Sequence, residues 1–415
     1  MSKRWEIFTV LALMFMLGFF YRVSMAVAAR DLSVDLDLSA VQLGVLSGIF
    51  FYVFASVQIP LGPVLDRFGG RQVISLLGVV TSCGALLFAL APGYRAALAG
   101  RVLLGMGTAS VLMGSLKIYT NWFTPREFPK VSGFMLAVGN LGNLFATAPL
   151  AHAVTRFGWR NTFLAAAIMQ VAITIVVYLI VRDAPATSQP PANPVASAGP
   201  SYGGTLQAWR LIFSTPAFWF VALLAFFWYA NYMVLLALWG GPYLMEAIGL
   251  NRSQAGNILI FTSLGFISGS LLLWKVINLM SGSLKKTIMA GQTLLLAAMT
   301  VMLGPAETFS LPLLSAAFFV IGLSSSTGVI IYPLAREMVA HEFTATAMTC
   351  VNFFLLMGAA SMQHIMGVYI DSFPRSPTGY PPQAYHGAFL IPICGLAGTL
   401  ILFTLFRGGA AKIKS

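Results

Sequence analysis

Twelve apolar runs, each close to the length of a bilayer-spanning helix, leave this chain few folds to choose from. They fall at roughly 5–29, 40–61, 72–91, 96–120, 131–154, 160–182, 216–240, 253–278, 286–304, 311–335, 345–370 and 385–407. In hydrocarbon a backbone must satisfy its own N–H and C=O groups, so runs of this length must be helices. Composition agrees: 58% of the 415 residues are hydrophobic and 9% are charged, against about 25% charged in a soluble domain. The expectation is an all-α membrane protein with twelve transmembrane helices and both termini on one side.

The net charge of +12 raises nucleic acid as a partner, but its distribution argues against one. Fifteen basic residues fall in the loops on the terminus side, among them Lys3, Arg4, Arg67, Arg71, Arg126 and Lys130. Six fall opposite: Arg30, Arg95, Arg156, Arg160, Arg252 and Arg375. The positive-inside rule then puts both termini in the cytoplasm. Lys3-Arg4 followed by an apolar run imitates a secretory leader. The run 5–29 is long enough to span, however, and Arg22 interrupts the cleavage region, so cleavage is not expected. Cys83, Cys350 and Cys394 lie in apolar runs, and the four histidines lack metal-ligand spacing. No cofactor and no metal are expected. Walker loop, zinc-protease and nucleophile-elbow patterns are missing, so an enzyme is not expected.

The halves repeat. An offset of 212 pairs Leu38 with Leu250, Gln42 with Gln254, Gly44 with Gly256, Asp66 with Asn278 and Gly70 with Gly282. A slightly larger offset pairs Gly78 with Gly291, Pro92 with Pro305 and Gly105 with Gly322. An ordered series of this kind points to duplication. Six spans per copy preserve orientation, so the expectation is two six-helix bundles related by a parallel pseudo-twofold repeat. The bundles are 1–183 and 216–415. The segment 184–215, rich in Pro, Ala, Ser and Gly, is the cytoplasmic linker. Ser39 with Gln42, and Asn251 with Gln254, have capping-box spacing where the second helix of each half begins.

Between the second and third runs stands Gly62-Pro63-Val64-Leu65-Asp66-Arg67-Phe68-Gly69-Gly70-Arg71. The pattern Gly62-x-x-x-Asp66-Arg67-x-Gly69-x-Arg71 resembles the signature loop of the major facilitator superfamily. Arg101-x-x-x-Gly105-x-Gly107 resembles that family's fourth-helix motif, and Gly158-Trp159-Arg160-x-x-Phe163 the start of its sixth. The resemblance covers the whole chain. It implies a secondary transporter of alternating access, with helices 1, 4, 7 and 10 around a central site. It also implies a gating or structural role for Gly62, Asp66, Arg67, Gly69, Arg71, Arg101 and Glu127. Arg67 or Arg71 would pair with Glu127 or Glu342, and Asp66 would face a helix start near 344–346. The antiporter pattern expected in helix 5 is replaced by Ala148-Pro149.

Arg22, Arg101 and Lys117 lie inside apolar runs, whereas all twelve acids lie in loops or at helix ends. A charge at mid-bilayer costs about 2.5–3.5 kcal/mol or more. These cations therefore need water, carbonyls or an anionic ligand. The reading is a transporter of a small carboxylate-type organic anion, with Arg22 and Lys117 as substrate contacts. Snorkelling to an interface is the bland alternative for both. Phe19-Phe20-Tyr21-Arg22 resembles organic-anion symporters of the family, which makes proton coupling the first expectation and facilitated or exchange transport the alternative. Tyr229 and Tyr232, three apart on one helix face, and Tyr332 offer hydroxyls to the anion. Asn143 is a further contact candidate, with helix–helix hydrogen bonding as its alternative. Efflux of lipophilic compounds would want a cavity acid, and a non-transporting receptor would not want a gate loop. The expected setting is a bacterial inner membrane, with a monomer in the lipid bilayer.

Overall fold

In the computed structural model the described residues are 3–124, 127–185, 210, 212–337, 344–376 and 379–405. They are helical almost throughout, with a lone β-bridge between Ser376 and Gly379. Eleven helices among them are long and apolar enough to cross a membrane.

The first span is α1 (Lys3–Val23), which breaks at Ser24 and continues as α2 (Met25–Asp35). Next come α3 (Ala40–Phe68), α4 (Gly70–Ala89), α5 (Tyr94–Thr108) and α6 (Val111–Trp122). Only Gly69 separates α3 from α4, and its φ of 79° is one that glycine adopts without strain. Gly70 is there for a different reason. A Cβ on it would lie 2.9 Å from the Gly114 carbonyl oxygen, so its role is close packing of α4 on α6.

The twelve-run expectation departs from the structure at the fifth run. That run, 131–154, is split into α7 (Phe128–Phe145) and the start of α8 (Ala148–Ile180), with Ala146 and Thr147 between them. Pro149 has no N–H to return to the preceding turn, which interrupts the helical ladder there. Gly158, at φ 77°, then bends α8.

In the second half α9 (Pro216–Met233) continues through wider π-type turns to Ala247. It is followed by α10 (Arg252–Leu279), α11 (Leu284–Met299), α12 (Leu311–Ser325), α13 (Ile331–Glu337), α14 (Thr344–Asp371) and α15 (Pro382–Leu405). Among the described spans the one that α9 opens is the most enclosed, with 83% of its most apolar stretch buried. This helix therefore runs through the middle of the molecule.

Both anticipated capping boxes form. Ser39 accepts from the Gln42 N–H while Gln42 accepts in return from the Ser39 N–H, and Asn251 and Gln254 do the same. A cap of this kind contributes about 1 kcal/mol. Ser39→Ala and Asn251→Ala are each expected to lower stability by about that amount. A thermal midpoint in detergent unchanged from wild type in both would contradict this.

The two sequence halves meet closely where small residues let backbones touch. A Cβ on Gly48 would stand 2.8 Å from the Ala360 carbonyl oxygen, which brings α3 and α14 together. Gly241 sits directly on the Ala26 carbonyl, and Gly44 on that of Gln363. None of these sites has room for a methyl group. Close backbone approach of this sort is how helices associate where lipid offers no hydrophobic gain.

Candidate functional site

The site begins at the break in the first span. The helix is interrupted at Ser24, and the Tyr21 carbonyl beside that break receives a donor from α5. The donor is Arg101. Its Nη1 donates to Tyr21 O at 2.7 Å, its Nε to Leu46 O at 3.0 Å and its Nη2 to Ser47 O at 3.4 Å. The guanidinium also lies 4.8 Å over the Phe50 ring. Arg101 is 1% exposed, so its charge is satisfied by three backbone dipoles and an aromatic face.

Arg22 is the next residue along from that tethered carbonyl, and its side chain points to the other half of the molecule. Its Nη1 donates to the Tyr229 hydroxyl of α9 at 3.4 Å, a long contact. Phe19 and Phe54 flank the guanidinium, with centroids 4.6 and 4.9 Å away. Its Nε is buried and has no hydrogen-bond partner among the described residues. Arg22 thus bridges the halves with a guanidinium only partly used. The snorkelling alternative does not describe this geometry.

Arg22 touches one neutral polar group directly, the Tyr229 hydroxyl. Tyr229 and Tyr232 lie with rings 6.4 Å apart, and Tyr232 stacks on Phe266 at 5.0 Å. Tyr332 is close enough to feel both Arg22 and Tyr229 electrostatically. Its hydroxyl donates to Asn352 Oδ1 at 2.8 Å, and Asn352 Nδ2 donates to Gln58 Oε1 at 2.9 Å. This chain runs from the second half back to α3. Gln58 escaped sequence reasoning, although an amide deep in an apolar run is itself a signal. Asn143 lies next to Gly142, which packs against the Met16 carbonyl and Phe19. Its Nδ2 reaches Asn140 at 3.4 Å, while its buried Oδ1 has no partner among the described residues.

Lys117 is placed elsewhere. Its Nζ donates to Leu65 O at 2.9 Å, in the last turn of α3. Carbonyls at a helix C-terminus attract cations, which accounts for the position. Leu65 is eleven residues beyond Phe54, or about 16 Å along α3. The structure therefore does not bring Lys117, expected as a substrate contact, to Arg22.

The loop charges also pair differently from expectation. Glu127 binds Arg4 at 3.1 Å and accepts from the Thr124 N–H and hydroxyl, both at 3.0 Å. The Thr124 hydrogen bonds, with Arg4 adding to them, hold its carboxyl below the ordinary glutamate value. Arg71 donates its backbone N–H to Asp183 at 2.9 Å and its Nη2 to Tyr178 O at 2.9 Å. Neither Glu127–Arg67 nor Glu127–Arg71 forms: Glu127 is taken by Arg4 and Thr124, and the Arg71 guanidinium by the Tyr178 carbonyl. Arg67 is exposed over the Phe68 ring. Gly62 is exposed, and a Cβ added to it would meet nothing within 4 Å. The Asp66 side chain, Glu342 and the side chains of 344–346 lie outside the described residues.

The face opposite the N-terminus carries a belt of contacts between the halves. Asp31 pairs with Arg252. Arg375 donates to Ser33 Oγ at 2.7 Å and to Leu38 O at 3.1 Å. The Ala40 N–H donates to Asp371 at 3.2 Å, and His152 meets Ser253 at 3.0 Å. A cleft of about 890 Å³ opens outward beside this belt, lined among others by Arg30, Trp159 and Arg160. Among the described residues no group of histidines, cysteines and acids is arranged to hold a metal.

Known proteins resemble this chain in sequence and in fold. A family model described as Major Facilitator Superfamily matches residues 8–240, more than half of the chain. The "Probable sulfoacetate transporter SauU" of Cupriavidus necator is 26% identical over 275 residues, covering 65% of this chain and 63% of that protein. The chain thus spans just under two thirds of that relative's length. The "Probable L-galactonate transporter" of Escherichia coli is 25% identical over 388 residues, covering 89% and 84%. Among solved structures, a bacterial homologue of the human lysosomal transporter Spinster, inward-facing and unoccupied, superposes with a TM-score of 0.74. It is 18% identical and covers 97% of this chain and 95% of its own.

Proposed function

We infer that this chain, which belongs to the Major Facilitator Superfamily, is a secondary transporter of small organic anions. The observation that carries the reading is Arg22. It is a cation within an apolar span, at the meeting of the two halves, with a buried Nε that no described residue uses. A cation held there without a carboxylate is costly. An arriving oxyanion would remove that cost, which is a reason to bind. The relatives named for sulfoacetate and L-galactonate support an acid as cargo.

Transport on this reading is alternating access. The bundles 1–183 and 216–415, joined by the linker 184–215 and related by the parallel repeat, rock about the Arg22 level. The Asp31–Arg252 and Arg375–Ser33 contacts close the external face. They break as the bundles tilt the other way. Asp66, Arg67 and Arg71 anchor the cytoplasmic loop, with Asp183 as the partner of the Arg71 backbone. Lys117 belongs with this group, fastening the end of α3. Tyr229, Tyr232, Tyr332 and Asn143 complete the anion site, and Arg101 holds the first span in register. Both termini are cytoplasmic, the membrane is a bacterial inner membrane, and the working unit is a monomer. Protons are the first coupling ion to test.

The test is a thermal-shift screen of the purified chain against organic acids, followed by counterflow in proteoliposomes. A ligand that binds the folded state raises the thermal midpoint. Acids are expected to raise it, and the acids that do are expected to exchange across the membrane. A screen in which only neutral or cationic compounds bind would reject the reading.

A further inference from the structure

Charge balance at the central site narrows the cargo further, and this step rests on the reading of Arg22 as the anion contact. We propose that the site selects singly charged organic anions, one carboxylate or sulfonate on a neutral hydroxyl-bearing body, and rejects dianions of the same size.

Three cations lie within the apolar spans. Arg101 is committed to three carbonyls, and Lys117 holds the Leu65 carbonyl far along α3. Lys117 is not at the Arg22 level, and Arg101, although it reaches the neighbouring Tyr21 carbonyl, is turned onto backbone carbonyls. Among the described residues no carboxylate pairs with Arg22. Its contacts are Phe19, Phe54 and the Tyr229 hydroxyl, all neutral. Among the described residues Arg22 therefore offers the one uncommitted positive charge at this level. A monoanion brings it to zero. A dianion leaves one negative charge among aromatic rings and helix backbones, where nothing offsets its lost hydration.

Shape points the same way. Phe19 and Phe54 flank the guanidinium, so an anion would meet it at the edge that carries the unpaired Nε. That edge presents parallel N–H donors, which fit two oxygens of one carboxylate or sulfonate. Further out, Tyr332, Asn352 and Gln58 form a chain of neutral donors and acceptors. Such groups match hydroxyls, and they give a second anionic end no charge to meet. Sulfoacetate, in the name of one relative, has two charged ends, whereas L-galactonate has one. Charge selection would thus separate this chain from one relative and align it with the other.

The experiment uses two matched pairs on the full chain at neutral pH, where every acid group is ionised. L-Galactonate is set against galactarate, which differs in having a second terminal carboxylate. Isethionate is set against sulfoacetate in the same way. Thermal shift and competition in counterflow are read for wild type, Arg22→Gln and Arg22→Lys. The single-charge member of at least one pair is expected to bind, and its doubly charged partner to need about a hundredfold higher concentration. Arg22→Gln is expected to abolish the preferred binding, and Arg22→Lys to keep the order of preference at lower affinity. Equal binding within the pair, lost in Arg22→Gln, overturns the charge selection and leaves the Arg22 reading intact. Binding that survives Arg22→Gln, or no binding by either pair, overturns the Arg22 reading and the selection with it.

Discussion

Arg22→Gln is expected to lose anion transport by between about thirtyfold and a thousandfold or more while the folded protein becomes no less stable. The transport loss follows from removing one partner of a desolvated charge contact, which costs about 2–5 kcal/mol. The stability outcome has the opposite sign from most polar deletions. Without its cargo, Arg22 has a single long hydrogen bond and a buried Nε that no described residue meets. Removing the charge relieves the burial of a poorly paired cation, for which about 2.5–3.5 kcal/mol is the scale. The thermal midpoint of the variant in detergent should therefore equal or exceed that of wild type. This split between function and stability marks a residue kept for binding. Undiminished transport in the variant would contradict the role given to Arg22, and a falling midpoint would contradict the stability argument.

Arg101→Ala should do the reverse. Three carbonyls, those of Tyr21, Leu46 and Ser47, lose their donor at a site 1% exposed. Deleting one partner of such a buried charged cluster costs about 3–5 kcal/mol. The loss of packing volume adds to this, since the guanidinium also rests on Phe50. The expected result is a large fall in thermal midpoint and in yield. Arg101→Lys should recover only part of it, because an ammonium is a point donor and cannot span three carbonyls as the planar fork does. A midpoint within error of wild type for Arg101→Ala would show that the carbonyls find other partners. Transport in any surviving Arg101 variant is also expected to suffer, as Tyr21 O and the Arg22 backbone are adjacent.

These two arginines look alike along the chain, each a cation inside an apolar run. Their difference lies in what remote segments bring to them. Arg101 meets a carbonyl beside the break at Ser24, and that break is not visible in the hydropathy of 5–29. Arg22 meets Tyr229, 207 residues away. The tyrosines of the seventh apolar run could be named from sequence because two hydroxyls recur on one face. Gln58 could not be ranked, since its partner Asn352 lies 294 residues on.

The sequence by itself determined the class of fold and where the second helix of each half begins. Apolar runs demand helices wherever water is excluded, and the capping pairs Ser39–Gln42 and Asn251–Gln254 are each complete within one turn of chain. A glycine of the Gly69-Gly70 pair had to turn the chain between α3 and α4, and the structure puts the positive φ at Gly69. Those properties are local, so they can be read one stretch at a time. Only the tertiary structure decided which cation remained available. Lys117 was settled by the carbonyl end of α3, Arg101 by the first two spans, and Glu127 by Arg4. A buried charge is satisfied by whichever dipoles packing brings within about 3 Å, and packing is a property of helices far apart in the chain.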